Sequence, residues 1–204
     1  MKRNRSYRHY ATVLMLGFCL PFALAMAPKP VAAEWAADFY VGPNFYDGEE
    51  DAGEWTSGGR LGYWFVMPMK LDLGVYLDAS VVESDFGDGD YTVVPISGLA
   101  MLRFRLLDSE EFPHGRIVPY AGAGPSGFYS DIDVTSFSDE SWDPGLDARA
   151  GLSGMIWRNF GLFAEYRYTY FEPDYADVPA GSIRHQLSDD VTFHHALLGL
   201  AVRF

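Results

Sequence analysis

Cysteine is almost absent from this chain: its 204 residues include one, Cys19, and that one lies in an N-terminal apolar run. Phe18 before it is bulky where lipid attachment wants a small residue, so no lipid anchor is expected there. The rest of the chain has neither disulfide staples nor thiol chemistry. A second long apolar run is also missing, so no helix is expected to span a bilayer. Basic residues are scarce, 15 against 28 acidic, and five of them (Lys2, Arg3, Arg5, Arg8 and Lys29) precede residue 34. That leaves ten against 28, a net charge of −18 from residue 34 onward, which argues against a nucleic-acid partner. No Gly-rich phosphate loop, nucleotide motif or internal repeat occurs.

What is present begins with a basic start followed by the uncharged run from Ala11 to Ala27, the n-region and h-region of a secretory signal. Pro21 interrupts the run, which is short for a span of about 20 residues. Cleavage after Ala25-Met26-Ala27 would leave Pro28 first, so cleavage after Val31-Ala32-Ala33 is preferred. The expected organisation is a cleaved signal over 1–33 and one domain over 34–204.

From Trp35 onward the pattern has a period of two, which is that of a strand with unlike faces. Strand one sets Trp35, Phe39, Val41 and Phe45 against Asp38, Tyr40, Asn44 and Tyr46. Strand two sets Gly59, Leu61, Tyr63 and Phe65 against Arg60, Gly62 and Trp64. In strand three, Leu71, Leu73, Val75, Leu77, Ala79 and Val81 alternate with Asp72, Gly74, Tyr76, Asp78 and Ser80. Strand four runs from about Tyr91 to Leu106. Strand five, about Arg116 to Tyr129, carries Pro119, Pro125 and several glycines, so bulges or irregular ends are expected there. Leu146 to Ile156, Leu162 to Tyr170 and Thr192 to Phe204 make strands six to eight. The last ends on an aromatic residue, its outward row being His194, Ala196, Leu198, Leu200, Val202 and Phe204.

Long connections are predicted at Asp47–Glu54, Ser84–Asp90, Ser130–Asp143 and Glu172–Asp190, and short ones at Pro68, Leu107–Gly115 and Arg158-Asn159. Of the 28 acidic residues, 19 fall in or beside the long connections, counting Glu83. Most of the remaining charge falls on the faces opposite the apolar rows: Arg60, Lys70, Arg103, Arg105, Arg149, Arg167 and Arg203 share them with Asp38, Asp72, Asp78, Asp147 and Glu165. A lipid-facing Arg or Lys at mid-depth costs roughly 2–4 kcal/mol, so a bilayer would impose this segregation. The fold expected is all-β, an eight-stranded antiparallel up-and-down transmembrane barrel, with a soluble β-sandwich or lipocalin as the structural alternative. Its lumen is just wide enough for side chains to fill, and those charges are expected to plug it as a salt-bridged network. Aromatic residues near strand ends, among them Trp35, Trp55, Trp142, Trp157 and Tyr170, suit the membrane interfaces.

Three patterns bear on chemistry. Asp190-x-Thr192-x-His194 puts three polar residues on one face near the outer end, but a threonine is a poor nucleophile and the expected reading is a polar strand exit. His194 and His195 point to opposite faces, and His114 and His185 lie on opposite sides of the membrane, so histidine metal ligation is not expected. The run Asp85-x-x-Asp88-x-Asp90 attracts hard cations but lacks the spacing and bidentate Glu of an EF-hand; a solvated loop is expected. No catalytic residue, cofactor or metal site is assigned.

The stretches Gly58-Gly59-Arg60-Leu61-Gly62-Tyr63, Pro119-Tyr120-Ala121-Gly122-Ala123-Gly124 and Leu198-Gly199-Leu200-Ala201-Val202-Arg203-Phe204, with the signal and the terminal Phe, resemble the Gram-negative outer-membrane β-barrel superfamily. That superfamily includes the OmpA transmembrane domain and the opacity-type surface barrels. The resemblance covers 34–204 and implies location in the bacterial outer membrane, with Leu198, Leu200, Val202 and Phe204 as the assembly signal. It also implies contact with outer-membrane lipid and lipopolysaccharide, and handling by periplasmic chaperones and the barrel assembly machinery. A monomer with a surface role through acidic loops, and no enzymatic activity, is expected. A narrow small-solute channel and a lipid-A-modifying enzyme are the alternatives.

Overall fold

Alternating apolar and polar residues satisfy their backbone only by pairing with neighbours, and a row of such strands that faces lipid must close on itself. A computed structural model of the protein describes residues 33–46, 54–67, 70–86, 89–134, 137–172 and 191–204; residues 1–32, which hold the expected signal, lie outside them. The strands are β1 (Ala33–Tyr46), β2 (Glu54–Phe65), β3 (Leu71–Phe86), β4 (Gly89–Phe104), β5 (Ile117–Val134), β6 (Phe137–Met155), β7 (Phe160–Phe171) and β8 (Val191–Arg203). Each pairs antiparallel with the next, and β8 pairs with β1 to close the barrel. At the seam, the Trp35 amide donates to the Phe204 carbonyl at 2.9 Å and the Phe204 amide to the Trp35 carbonyl at 3.0 Å.

The faces divide as the alternation demands. Leu71, Leu73, Val75 and Leu77 are exposed on the outer wall, and Asp72, Tyr76, Asp78 and Ser80 between them are buried in the lumen. Exposed Trp35, Phe65, Phe104, Trp157 and Phe160 ring the end that holds both termini of the barrel; Phe45, Trp55 and Trp142 ring the other end. These are the aromatic girdles of a bilayer-spanning barrel, with the chain ends on the periplasmic side.

The structure corrects four expectations. The described residues of Ser84–Asp90 and Ser130–Asp143 are strand and not loop: the β3–β4 ladder continues to Phe86↔Gly89 and the β5–β6 ladder to Val134↔Phe137. Each strand already has a neighbour to pair with, and the pairing carries these hairpins past the girdle. The bulges expected in β5 do not occur. Its register with β4 is the same on both sides of a short interruption, Ser97↔Ser126 before it and Ala100↔Ala123 after it. Pro125 costs a rung of the ladder there without inserting a residue. Strand four stops at Phe104, because Leu107 adopts a left-handed φ of 53° and Leu106 makes only an isolated bridge to Ile117. Finally, Phe204 is buried, not lipid-exposed. It lies at the seam, where the Arg203 amide bonds the Asn159 carbonyl at 2.9 Å and brings the β6–β7 turn against the end of β8.

Candidate functional site

Six arginines and six carboxylates, all but Arg105 on seven of the strands, project into the lumen and pair in three tiers. In the periplasmic tier Arg103 grips Glu34 with both terminal nitrogens, at 2.9 and 2.8 Å, and its Nε donates to Asp72 at 2.9 Å. Its guanidinium also lies over the Trp64 ring, 4.5 Å from the centroid. Arg105 reaches the same Asp72 at 3.1 Å and the Met67 carbonyl at 2.7 Å. His114, carried up by the β4–β5 turn, sets Nδ1 2.6 Å from Glu34. A cavity of about 20 Å³ remains among Glu34, Trp64, Arg103, His114 and Ser153, room for about one water.

The middle tier centres on Arg60. Its Nε donates to Asp38 at 2.8 Å and Nη1 to Glu165 at 2.5 Å, and the rings of Tyr76, Tyr120 and Phe163 surround it at 5.5, 5.4 and 5.0 Å. Arg203 pairs with the other oxygen of Asp38 at 2.5 Å. The outer tier joins Arg149 to Asp78 at 2.9 Å and Asp147 at 2.6 Å, and Arg167 to Asp147 at 2.7 Å. Tyr40 donates to Asp78 at 2.8 Å, and Ser97 to Asp147 at 2.9 Å. Nearly all these side chains are sealed from solvent, which is tolerable only because each charge has partners of opposite sign.

Above the charges the lumen turns neutral and then apolar. His195 shares hydrogen bonds with Thr56 at 2.9 Å and Thr169 at 3.3 Å, while the amide of Asn44 has no protein partner among the described residues. Val82, Val93, Phe128, Phe171, Val191 and Phe193 then close the outer end. Phe128 and Phe171 stack there with centroids 4.3 Å apart. The interior is a filled core with a charged lower part and an apolar stopper.

Of the residues expected in the network, Arg60, Asp72, Asp78, Arg103, Arg105, Asp147, Arg149, Glu165, Arg167 and Arg203 stand in it, together with Asp38. Lys70 does not. It sits on the exposed β2–β3 turn and pairs with Asp108 at 2.7 Å, since the strand begins only at Leu71. That hydrogen bond holds the Asp108 carboxyl below its ordinary range. Sequence reasoning missed Glu34, taken as the residue after cleavage, although it continues the inward row of Ala36 and Asp38. It also missed His114, because the fold-back of a turn has no periodic signal.

The other candidates are dispersed. Asp190 and His185 lie outside the described residues, as does Asp88 of the acidic run. Thr192 and His194 face outward, and His194 bonds Tyr166 instead of a hydroxyl nucleophile. Among the described residues no three histidines, cysteines or carboxylates converge as a metal site.

No curated protein matches the chain in sequence. Solved structures do match its fold. Ail, the attachment invasion locus protein of Yersinia pestis, is 18% identical over 85% of this chain and 99% of its own, with a TM-score of 0.55. Neisserial surface protein A is 18% identical over 84% of this chain and 97% of its own, with a TM-score of 0.52. The N-terminal barrel of Pseudomonas aeruginosa OprF is 14% identical over 84% and 97%, with a TM-score of 0.50. The family model of the outer membrane protein beta-barrel domain matches residues 13–204. The chain belongs to that family and is a bacterial outer-membrane β-barrel protein.

Proposed function

We propose that this barrel is a non-conducting, non-enzymatic scaffold that presents acidic loops at the cell surface. The observation that carries the reading is the filled lumen: paired charges from seven strands below, and stacked Phe128 and Phe171 above. Opening a path would mean unpairing buried ions and unpacking the stopper together. His195 has both ring nitrogens on threonine hydroxyls, Thr56 and Thr169, so neither nitrogen is left for a carboxylate to complete a triad. Lumen residues thus act in stability, and recognition falls to the loops together with the outer hairpin ends at Ser84–Asp90 and Ser130–Asp143, in or beside which most of the acidic residues lie. Lipopolysaccharide-bridging cations and a surface ligand are the partners such loops suit. Export by the 1–33 signal, chaperone escort, and insertion through the Leu198–Phe204 signal as a monomer complete the reading.

Planar-bilayer recording tests it. The wild-type barrel is expected to give no steady conductance, and a variant combining Phe128→Ala with Phe171→Ala to give little unless Arg167 is also removed. Discrete ion-conducting steps from the wild type would overturn the reading in favour of a narrow channel. Replacement of the loops, with folding intact, is expected to change surface binding.

A further inference from the structure

The ladders β1–β2, β2–β3, β5–β6, β6–β7 and β7–β8 run without interruption over their described lengths. The other three are each broken at a proline. The β8–β1 ladder skips from Val41↔Leu198 to Asn44↔His195, the β3–β4 ladder from Ala79↔Ile96 to Val82↔Val93, and the β4–β5 ladder from Ser97↔Ser126 to Ala100↔Ala123. Antiparallel partners exchange backbone bonds at every second pair. Counting by twos from Trp35 and Phe204, which exchange theirs, Pro43 meets Ala196 at a position where it should donate. The same count from Leu106 and Ile117 brings Pro125 against Gly98, and from Arg105 and Lys70 it brings Pro95 against Ser80. A proline has no N–H, so each break is a lost rung. Two of these prolines follow a glycine for a reason: a Cβ at Gly42 would collide with the Ala196 carbonyl oxygen, and one at Gly124 with that of Gly98.

The breaks divide the wall. Strands β1 to β3 form one continuously bonded block, and β5 to β8 form another. On one side the blocks meet at the broken β8–β1 seam; on the other, β4 lies between them, with residues 94–99 beside a break on each edge. These two lines face each other across the barrel. Lower down the blocks are clamped, where Arg60 of β2 pairs with Glu165 of β7, Arg149 of β6 with Asp78 of β3 and Arg203 of β8 with Asp38 of β1. Above those tiers the described contacts between the blocks change in kind. Thr56 and His195 share one hydrogen bond, and Val82 and Val93 complete the apolar stopper that the β5–β8 block otherwise supplies. Apolar contact is non-directional, so it resists sliding and tilting far less than a paired guanidinium does.

We propose that the outer mouth opens as a pair of jaws: the two blocks turn against each other about the ion-paired tiers, yielding at the β8–β1 seam and along β4. The stopper then parts between Val82 and Val93 on one side and Phe128, Phe171 and Phe193 on the other. What the motion uncovers is the neutral layer, where the buried Asn44 amide has no protein partner among the described residues. The charged tiers stay paired, so no path through the barrel opens, and steady conductance neither accompanies nor excludes the motion. The first measurement is amide exchange of the folded chain in lipid nanodiscs, resolved by nuclear magnetic resonance. The amides of Val41, Ala100, Ala123 and Leu198, which flank the breaks, are expected to exchange about tenfold faster than those of Ala148 and Tyr168, partners on an unbroken ladder. Pro43→Ala with Pro125→Ala supplies both missing N–H groups and should slow the first set about tenfold. Spin labels then separate a motion of blocks from local fraying. Distances between labels at Val81→Cys of β3 and Leu146→Cys of β6 should spread more widely than those between Leu146→Cys and Leu198→Cys, which share a block. The proline variant should narrow that spread. Equal protection on broken and unbroken ladders, unchanged exchange in the proline variant, or equal spread for both label pairs would overturn the proposal.

Discussion

Arg60 shows what a single buried charge does here. It neutralises Asp38 and Glu165 at once and fills the space between three aromatic rings. Removing one member of a buried pair costs about 3–5 kcal/mol, because the partner stays buried and uncompensated. Arg60→Met should therefore lower the unfolding free energy by about that much, measured by urea titration in lipid vesicles. Adding Glu165→Gln should recover part of the loss. Lys70→Ala is the contrast. Its pair with Asp108 is exposed and screened, so the urea midpoint should not move. Because the Asp108 carboxyl is depressed by that pair, whatever the pair contributes is present above the ordinary carboxylate range and is lost as pH falls through the depressed value.

Among the elements, β3 and β8 set the two limits of what sequence could tell. Leu71 to Val81 alternates without a fault, so both its existence and its faces were plain. Leu77→Arg on its outer row should cost about 2–4 kcal/mol if the residue sits at mid-depth, while the isosteric Leu77→Ile should be near neutral; vesicle unfolding distinguishes them. Strand lengths were less legible. The hairpin tips beyond Ser84 and Ser130 are rich in Asp, Gly and Ser, which reads as loop, yet the ladders continue because each strand already has a neighbour to pair with. Pro125 misled in the opposite sense: an outward proline in a closed sheet removes a rung but need not kink the strand. Phe204 was placed on the right strand and the wrong surface, since a terminal residue follows the local seam and not the alternation. Phe204→Ala should slow the appearance of the heat-modifiable folded band during assembly, with surface binding by the loops unchanged; normal assembly kinetics would count against its role as a signal.

For the whole molecule, the inward charges could be read as a set but not as pairs. Arg103 and Glu34 are 69 positions apart in sequence, and Arg60 and Glu165 are 105, so periodicity says only that they share an interior. Closure decides who meets whom. Arg103 bridges β4 to β1, Arg60 bridges β2 to β7, and Arg149 bridges β6 to β3. None of these contacts joins strands that pair with each other in the sheet.

That geometry bears on time as well as on energy. Bonds that span the lumen need the sheet to be curled, so they are expected to form late in assembly and to hold the finished barrel more than they hasten its making. Their loss should appear as faster unfolding at an unchanged folding rate. The cross-lumen arginines would then determine how long an inserted copy lasts.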